Sequence, residues 1–168
     1  LPAAELHPLD LNALVTDVLQ LYGSENATVP VAVELDPRCP PVAGDAQQLR
    51  QVVHNLLQNA QDATEEAARK GQVPAEPVHI STHWSESSRR VRLTVSDRGS
   101  GFAPNILQRA LEPYVTTKSG GTGLGLAVVK KIADEHGARV DLVNRMENGM
   151  VRGAQVSLSF APERAVAL

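Results

Sequence analysis

Along Leu11 to Tyr22 (LNALVTDVLQLY) apolar residues return every three or four positions, the spacing of one helical face, and Asp10 stands where a capping side chain belongs. Val29 to Leu35 alternates like a strand and runs into a proline-rich turn. The strongest helical signal covers Asp45 to Lys70. There Leu49, Val52, Val53, Leu56, Ala60, Ala63 and Ala67 fall on one arc, Asp45 and Gln48 have the spacing of a capping box, and Gly71 stops the pattern. Val78 to Trp84 and Val91 to Ser96 alternate again and are predicted to pair antiparallel. Ala103 to Gly123 is long and irregular, with a short helical piece near Ile106 to Leu111. A second long helix is predicted over Leu124 to His136, closed by Gly137. Two last strands, Arg139 to Val143 and Ala154 to Phe160, flank Asn148-Gly149, a hairpin signal. Helices and strands come in clusters rather than in strict alternation. The pattern therefore predicts an α+β fold, a two-layer sandwich of a mixed, mostly antiparallel sheet with helices on one face.

Composition narrows the picture. A chain of 168 residues fits one core, and with 3% aromatic residues that core must be aliphatic. The net charge of -3 gives no global basic field, so nucleic acid is not an expected partner and any anion must be held by local geometry. Cys39 is the single cysteine, which permits no internal disulfide and fits a reducing, cytoplasmic setting. No apolar stretch approaches spanning length, so no membrane contact is expected from this segment, although a parent protein could be anchored in an inner membrane. The opening LPAAELHPLD reads as cut mid-protein. We expect residues 1–9 to end a linker, 10–162 to form the domain and 163–168 to be a tail.

Three stretches carry candidate chemistry. On the long helix Asn55, Asn59, Asp62 and Glu66 recur at four, three and four residues and form a polar stripe beside the apolar arc, where a helix can line a pocket. Asparagine is a poor helix former, and its amide oxygen suits a hard cation such as Mg²⁺. A solvated helix face is the alternative. Next, the strand Val91 to Ser96 ends in Asp97-Arg98-Gly99-Ser100-Gly101, which sets a carboxylate before two glycines; an ordinary Asp-Gly turn is the plain reading. Last, Gly120 to Gly125 packs four glycines into six positions directly before an amphipathic helix. Backbone N–H groups and the helix dipole converge there to make an anion site, with Thr122 adding a hydroxyl and Lys118 a cation. The run fits neither the P-loop nor the dinucleotide spacing.

In this order and spacing the stretches resemble the ATP-binding domain of sensor histidine kinases, in the GHKL superfamily (the Bergerat ATP-binding fold). HNLLQNAQDA looks like the asparagine box, DRGSGF the first glycine box and GGTGLGLAVVKKIADEHGA the second. LEPYVTTK is similar to the box usually written with Phe at its first and fourth positions, here Leu111 and Tyr114, and it leans toward the nitrogen-regulation class. The resemblance implies that Asn59 ligates Mg²⁺, that Asn55 lies beside the phosphates as a catalytic residue, that Asp62 contacts the nucleotide, and that Asp97 accepts from the adenine amino group. Gly99 and Gly101 would let backbone approach the base, while Gly121, Thr122, Gly123, Leu124 and Gly125 would hold phosphates and Lys118 would assist transfer. A lid would run roughly from Ala103 to Gly121. Gly153-Ala154 departs from the Gly-Thr that many relatives carry.

The resemblance also implies what is missing. None of His7, His54, His79, His83 and His136 is followed by an acidic residue, as an acceptor histidine typically is. His79 and His83 read as a polar strand face rather than metal ligands, and His54 as structural. The implied function is to bind Mg·ATP and pass its γ-phosphate to a histidine on a dimerisation and phosphoacceptor domain absent from this chain, with a response regulator as onward partner. The isolated domain is expected to be monomeric and the full-length protein a homodimer. A GHKL ATPase of the chaperone or mismatch-repair kind is a rival, but its general-base glutamate would stand at Asn55, which cannot take a proton. An anti-sigma serine kinase is a second rival.

Overall fold

The computed structural model describes residues 3–22, 29–71, 74–102, 107 and 125–162. Among them run β1 (His7–Leu9), α1 (Leu11–Leu19), β2 (Val31–Glu34), β3 (Val42–Gly44), α2 (Ala46–Gly71), β4 (Val78–Ser85), β5 (Arg90–Ser96), α3 (Gly125–Glu135), β6 (Arg139–Glu147) and β7 (Met150–Phe160). Five strands form one sheet in the order β2-β4-β5-β7-β6, parallel only between β2 and β4. The helices lie on one face, so the two-layer sandwich holds. Leu14 and Val15 of α1, Val53 and Leu57 of α2 and Ile132 of α3 are buried with Ile80, Leu93, Leu158 and Phe160 of the sheet. The opposite face of β4 and β5 presents His79, His83 and Arg92 to solvent.

Local chemistry sets the helix ends. Asp10, in extended conformation, accepts the Ala13 N–H at 3.2 Å and caps α1. Helix α3 ends in a Schellman motif, with Gly137 at φ +62 and the Ala138 N–H on the Ala133 carbonyl at 2.8 Å. Helix α2 departs from expectation. The Gln48 N–H does reach Asp45 Oδ1, but the Asp45 N–H, which a capping box would give to the Gln48 side chain, goes to His136 Nε2 at 3.0 Å. The Nδ1 of that ring contacts the Ile132 carbonyl at 2.8 Å, and Asp45 Oδ2 accepts the Glu5 N–H. One residue thus joins the chain's first segment, the start of α2 and the end of α3.

Four strand assignments differ from the pattern, among them β3, which the pattern does not mark as a strand. His7–Leu9, expected at the end of a linker, is strand β1 and pairs antiparallel with β3 in a small second sheet, which a bridge from Val42 to Pro162 extends. β6 and β7 continue to the Asn148-Gly149 turn, where φ values of 53 and 77 make a type I′ hairpin. Met146, Met150 and Val151 are exposed near that turn, so no one-sided alternation marked the extension.

A polar junction fastens α1 to the sheet. The Asp36 carboxylate accepts from Arg38 through its backbone N–H, Nε and Nη2, and from the Trp84 N–H at 2.9 Å. Thr82 Oγ1 takes the Asp36 N–H and donates to Asn12 Oδ1 at 2.6 Å, and Asn12 Nδ2 donates to the Asp36 carbonyl. The Arg38 guanidinium and the backbone donors hold the Asp36 carboxyl well below its ordinary value of 3.8. A lowered folded pKa contributes stability above the unfolded value, and that contribution is lost as pH falls through and below it. Asp36→Asn should therefore lower the thermal midpoint at pH 7, and the gap to the parent should narrow as pH drops from about 4 towards 2. A gap that stays constant in melts across that range would refute the assignment.

Candidate nucleotide site

The stripe on α2 lies at the border of core and solvent. Asn55, Asn59, Asp62 and Glu66 are all partly buried, each one turn from the next, and Gln58 Nε2 donates to Asp62 Oδ1 at 3.0 Å. What faces the stripe is the start of α3. A Cβ on Gly125, the first residue of α3, would lie 3.3 Å from Asn59 Nδ2. A glycine there lets the described start of α3, with the partial positive charge of a helix N-terminus, approach the asparagine amide without the tight contact a Cβ would make. Lys118, Gly121, Thr122, Gly123 and Leu124, with the expected lid and the LEPYVTTK box, lie outside the described residues. His54 sits on another face, where its Nδ1 is 2.5 Å from the Tyr22 hydroxyl, as a structural role requires.

Asp97 follows β5 and is 9% exposed. The Gly99 and Ala154 N–H groups both donate to its Oδ1 at 2.9 Å, and its own N–H donates to the Ala154 carbonyl. The backbone of Ala154 therefore holds Asp97 without the hydroxyl that a threonine would bring. Since both donors land on Oδ1, Oδ2 is the oxygen available to a ligand. Burial raises the Asp97 carboxyl above 3.8, opposed by the Gly99 and Ala154 hydrogen bonds and by nearby Arg145.

The two glycines of the first box have packing reasons of their own. A Cβ on Gly99 would meet the Ala63 Cβ and carbonyl oxygen at 2.9 Å, so β5 ends in direct contact with α2. Gly101 has φ +75, and a Cβ there would lie 2.5 Å from Val151 Cγ1 and 2.8 Å from Asn144 Oδ1. Four residues to which the sequence assigns no such role, Thr64, Asn144, Arg145 and Gly153, complete the support. Buried Thr64 accepts the Arg98 N–H at 3.0 Å, Arg145 Nη1 donates to the Asp97 carbonyl at 3.0 Å, and Asn144 bonds both backbone groups of Phe102. Gly153 has φ +142. Thr64 could have been suspected, as a polar residue among alanines on the apolar side of the helix. Asn144 and Arg145 carry no such signal, because their partners lie more than forty residues away. A cleft of about 570 Å³, walled by Thr64, Ala67, Gly99 and Glu147, opens beside this loop towards the end of α2. Arg98 spans it with ion pairs to Glu76 and Glu147.

Residues 44–164 match the family of histidine kinase-, DNA gyrase B- and HSP90-like ATPases. The chain belongs to this family. Within it, the chain is 34% identical to a putative NtrY-like sensor histidine kinase of Rickettsia bellii over 90% of its length, and 34% identical to the sensor histidine kinase ZraS of Escherichia coli K12 over 86%. These alignments cover only 23% and 29% of the two relatives, so the chain spans about a quarter of their length. Among solved histidine-kinase-like ATPases, the nucleotide-free catalytic domain of histidine kinase ThkA superposes with a TM-score of 0.76 at 28% identity, covering 94% of this chain and 95% of that one. Full-length ShkA in complex with AMPPNP superposes with a TM-score of 0.74 at 27% identity, covering 96% of this chain and 32% of that one. These matches agree with the fold and family read from the sequence boxes, and the NtrY-like relative gives modest support to the nitrogen-regulation class. Among the described residues no helix is long and apolar enough to cross a membrane, and no cluster of three or more His, Cys, Asp or Glu is placed to hold a metal ion.

Proposed function

We propose that this domain binds Mg·ATP and donates the γ-phosphate to a histidine on a separate dimerisation and phosphoacceptor domain, as the catalytic module of a two-component sensor kinase. The observation that carries the reading is the approach of Gly125 to Asn59, which brings the start of a helix, an anion-binding feature, to a side-chain amide. The donor set fits the group. Asn59 would ligate Mg²⁺, which supplies charge neutralisation at the phosphates when bound, and Asn55 and Asp62 would lie beside them. Gly121, Thr122, Gly123, Leu124 and Gly125 would hold phosphate oxygens through main-chain N–H groups, and Lys118 would place a cation on the transferred group. Asp97, flanked by Gly99 and Gly101, would read the base through Oδ2. The AMPPNP complex of ShkA supports nucleotide at such a site. A hydrolytic clamp is disfavoured because Asn55 is no base, and a response regulator would be met through the full-length kinase.

With labelled ATP alone the chain should form no acid-labile phosphohistidine, whereas adding an acceptor-helix fragment should produce it on the fragment. Label on His7, His54, His79, His83 or His136 would refute the division of labour. Base selectivity gives a further check. An ionised carboxylate only accepts, so it pairs with the adenine amino group and opposes the guanine carbonyl. A mismatched buried polar contact costs roughly 1–3 kcal/mol, so ATP should outcompete GTP by about tenfold or more. Because burial raises the Asp97 pKa, this preference should fade on acidification at a higher pH than an ordinary carboxylate would give. Asp97→Asn should shrink it at pH 7. Equal displacement of a fluorescent ATP analogue by ATP and GTP would remove Asp97 from the base.

A further inference from the structure

Asp97 and Phe102 bound a six-residue loop whose backbone must hold one carboxylate oxygen towards a ligand. Both ends of that loop are gripped by consecutive residues of β6. At the first end Arg145 Nη1 donates to the Asp97 carbonyl at 3.0 Å. At the other, Asn144 Oδ1 accepts the Phe102 N–H at 2.7 Å while its Nδ2 donates to the Phe102 carbonyl at 2.6 Å, so one side chain stands in for a strand partner. The ladder between β6 and β7 is irregular at this point. Asn144 pairs with Ala154 and Met146 with Val151, which sets Arg152 and Gly153 opposite the single residue Arg145, a β-bulge. A Cβ on Gly153 would lie 2.0 Å from the Asp97 carbonyl oxygen, and its absence leaves that oxygen open to the guanidinium. Gly101 likewise leaves room for the Asn144 amide.

We infer that Asn144 and Arg145 are positioning residues that set the base selectivity of Asp97 by clamping the two ends of its loop. The inference rests on the proposed adenine-reading role of Asp97. A loop freed at either end lets the carboxylate shift or turn. An interaction that discriminates through one oxygen at hydrogen-bond distance loses its directionality before the protein loses its fold. Selectivity and stability should therefore respond differently.

The test measures ATP and GTP affinity, by competition against a fluorescent ATP analogue, together with the thermal midpoint, for the parent chain, Asn144→Ala, Asn144→Asp and Arg145→Gln. Asn144→Ala and Arg145→Gln should each lower ATP affinity about tenfold while leaving GTP nearly unchanged, so the ATP-to-GTP ratio collapses. Asn144→Asp keeps the acceptor for the Phe102 N–H but turns a carboxylate oxygen towards the Phe102 carbonyl, so its ratio should fall as well. A parental ratio in the folded variants, even with a lower melting point, overturns the inference and leaves the nucleotide reading standing. Should Asn144→Ala fail to fold, a parental ratio in Asn144→Asp overturns it equally. A parent chain with no preference for ATP removes the base-reading role of Asp97, and this inference with it.

Discussion

Gly153→Ala should destabilise the domain by about 3–5 kcal/mol and lower its thermal midpoint by about 10 °C, the sum of an overpacked contact and a strained backbone at a domain of this size. The residue has φ +142, a conformation that side chains rarely adopt, and the added methyl would sit 2.0 Å from the Asp97 carbonyl oxygen and 2.9 Å from its carbon. The carbonyl has little freedom to yield, because it accepts from Arg145, while the Asp97 N–H and Oδ1 are both paired with Ala154. The strand must shift instead, and the ATP affinity should fall with it. Gly149→Ala is the control. It also has positive φ, at +77, but a Cβ there meets nothing within 4 Å, so the cost should be about 1 kcal/mol. Equal midpoints for the two variants would show that the packing at Gly153 is not what makes it a glycine.

Asn59→Ala should weaken Mg·ATP about 100-fold, roughly 2.8 kcal/mol, while ATP measured with a chelator present should bind as it does to the parent. An amide oxygen in the stripe is a neutral hard ligand, and removing one from a cation that demands oxygen donors in fixed geometry leaves a vacancy that water fills less well. Asn59 is partly buried at the edge of the helix contact, so the variant should keep its melting point within a few degrees. Calorimetry with and without Mg²⁺ separates the two effects. An unchanged Mg·ATP affinity would move the metal elsewhere.

What could be read from the chain followed the range of the interactions. The apolar arc of α2, the Asp10 cap, the Gly137 terminus and the Asn148-Gly149 turn depend on residues within a few positions of one another, and each is legible. The same holds for the candidate site where it is built by one element, as with the Asn55 to Glu66 stripe. It fails where the support is distant. The half-formed capping box at Asp45 is completed by His136, 91 residues on. The grip of β6 on the Asp97 loop, and the Asn12, Asp36 and Thr82 junction, combine side chains that are unremarkable in their own segments. Strands of three residues such as β1 and β3 hold too few positions to show a period. Gly99 and Gly101 were legible as glycines, yet their reasons in the structure are Ala63, Val151 and Asn144.

The contact of Gly99 with Ala63 has a consequence for how this site can vary. The two positions belong to different elements, 36 residues apart, and position 99 has no space for even a Cβ. A methyl at position 99 drives into α2, where it meets the Ala63 carbonyl oxygen and carbon as well as its Cβ. Gly99 is therefore fixed whatever side chain stands at position 63, because two of the three contacts are backbone. The contact also sets the gap between helix and strand end beside Asp97. Were the base seated beside Asp97 as proposed, this gap would set the height of the slot for its flat ring. A ligand shaped to it would then press on a glycine that cannot be enlarged, a contact that substitution at position 99 could not remove without disturbing the fold.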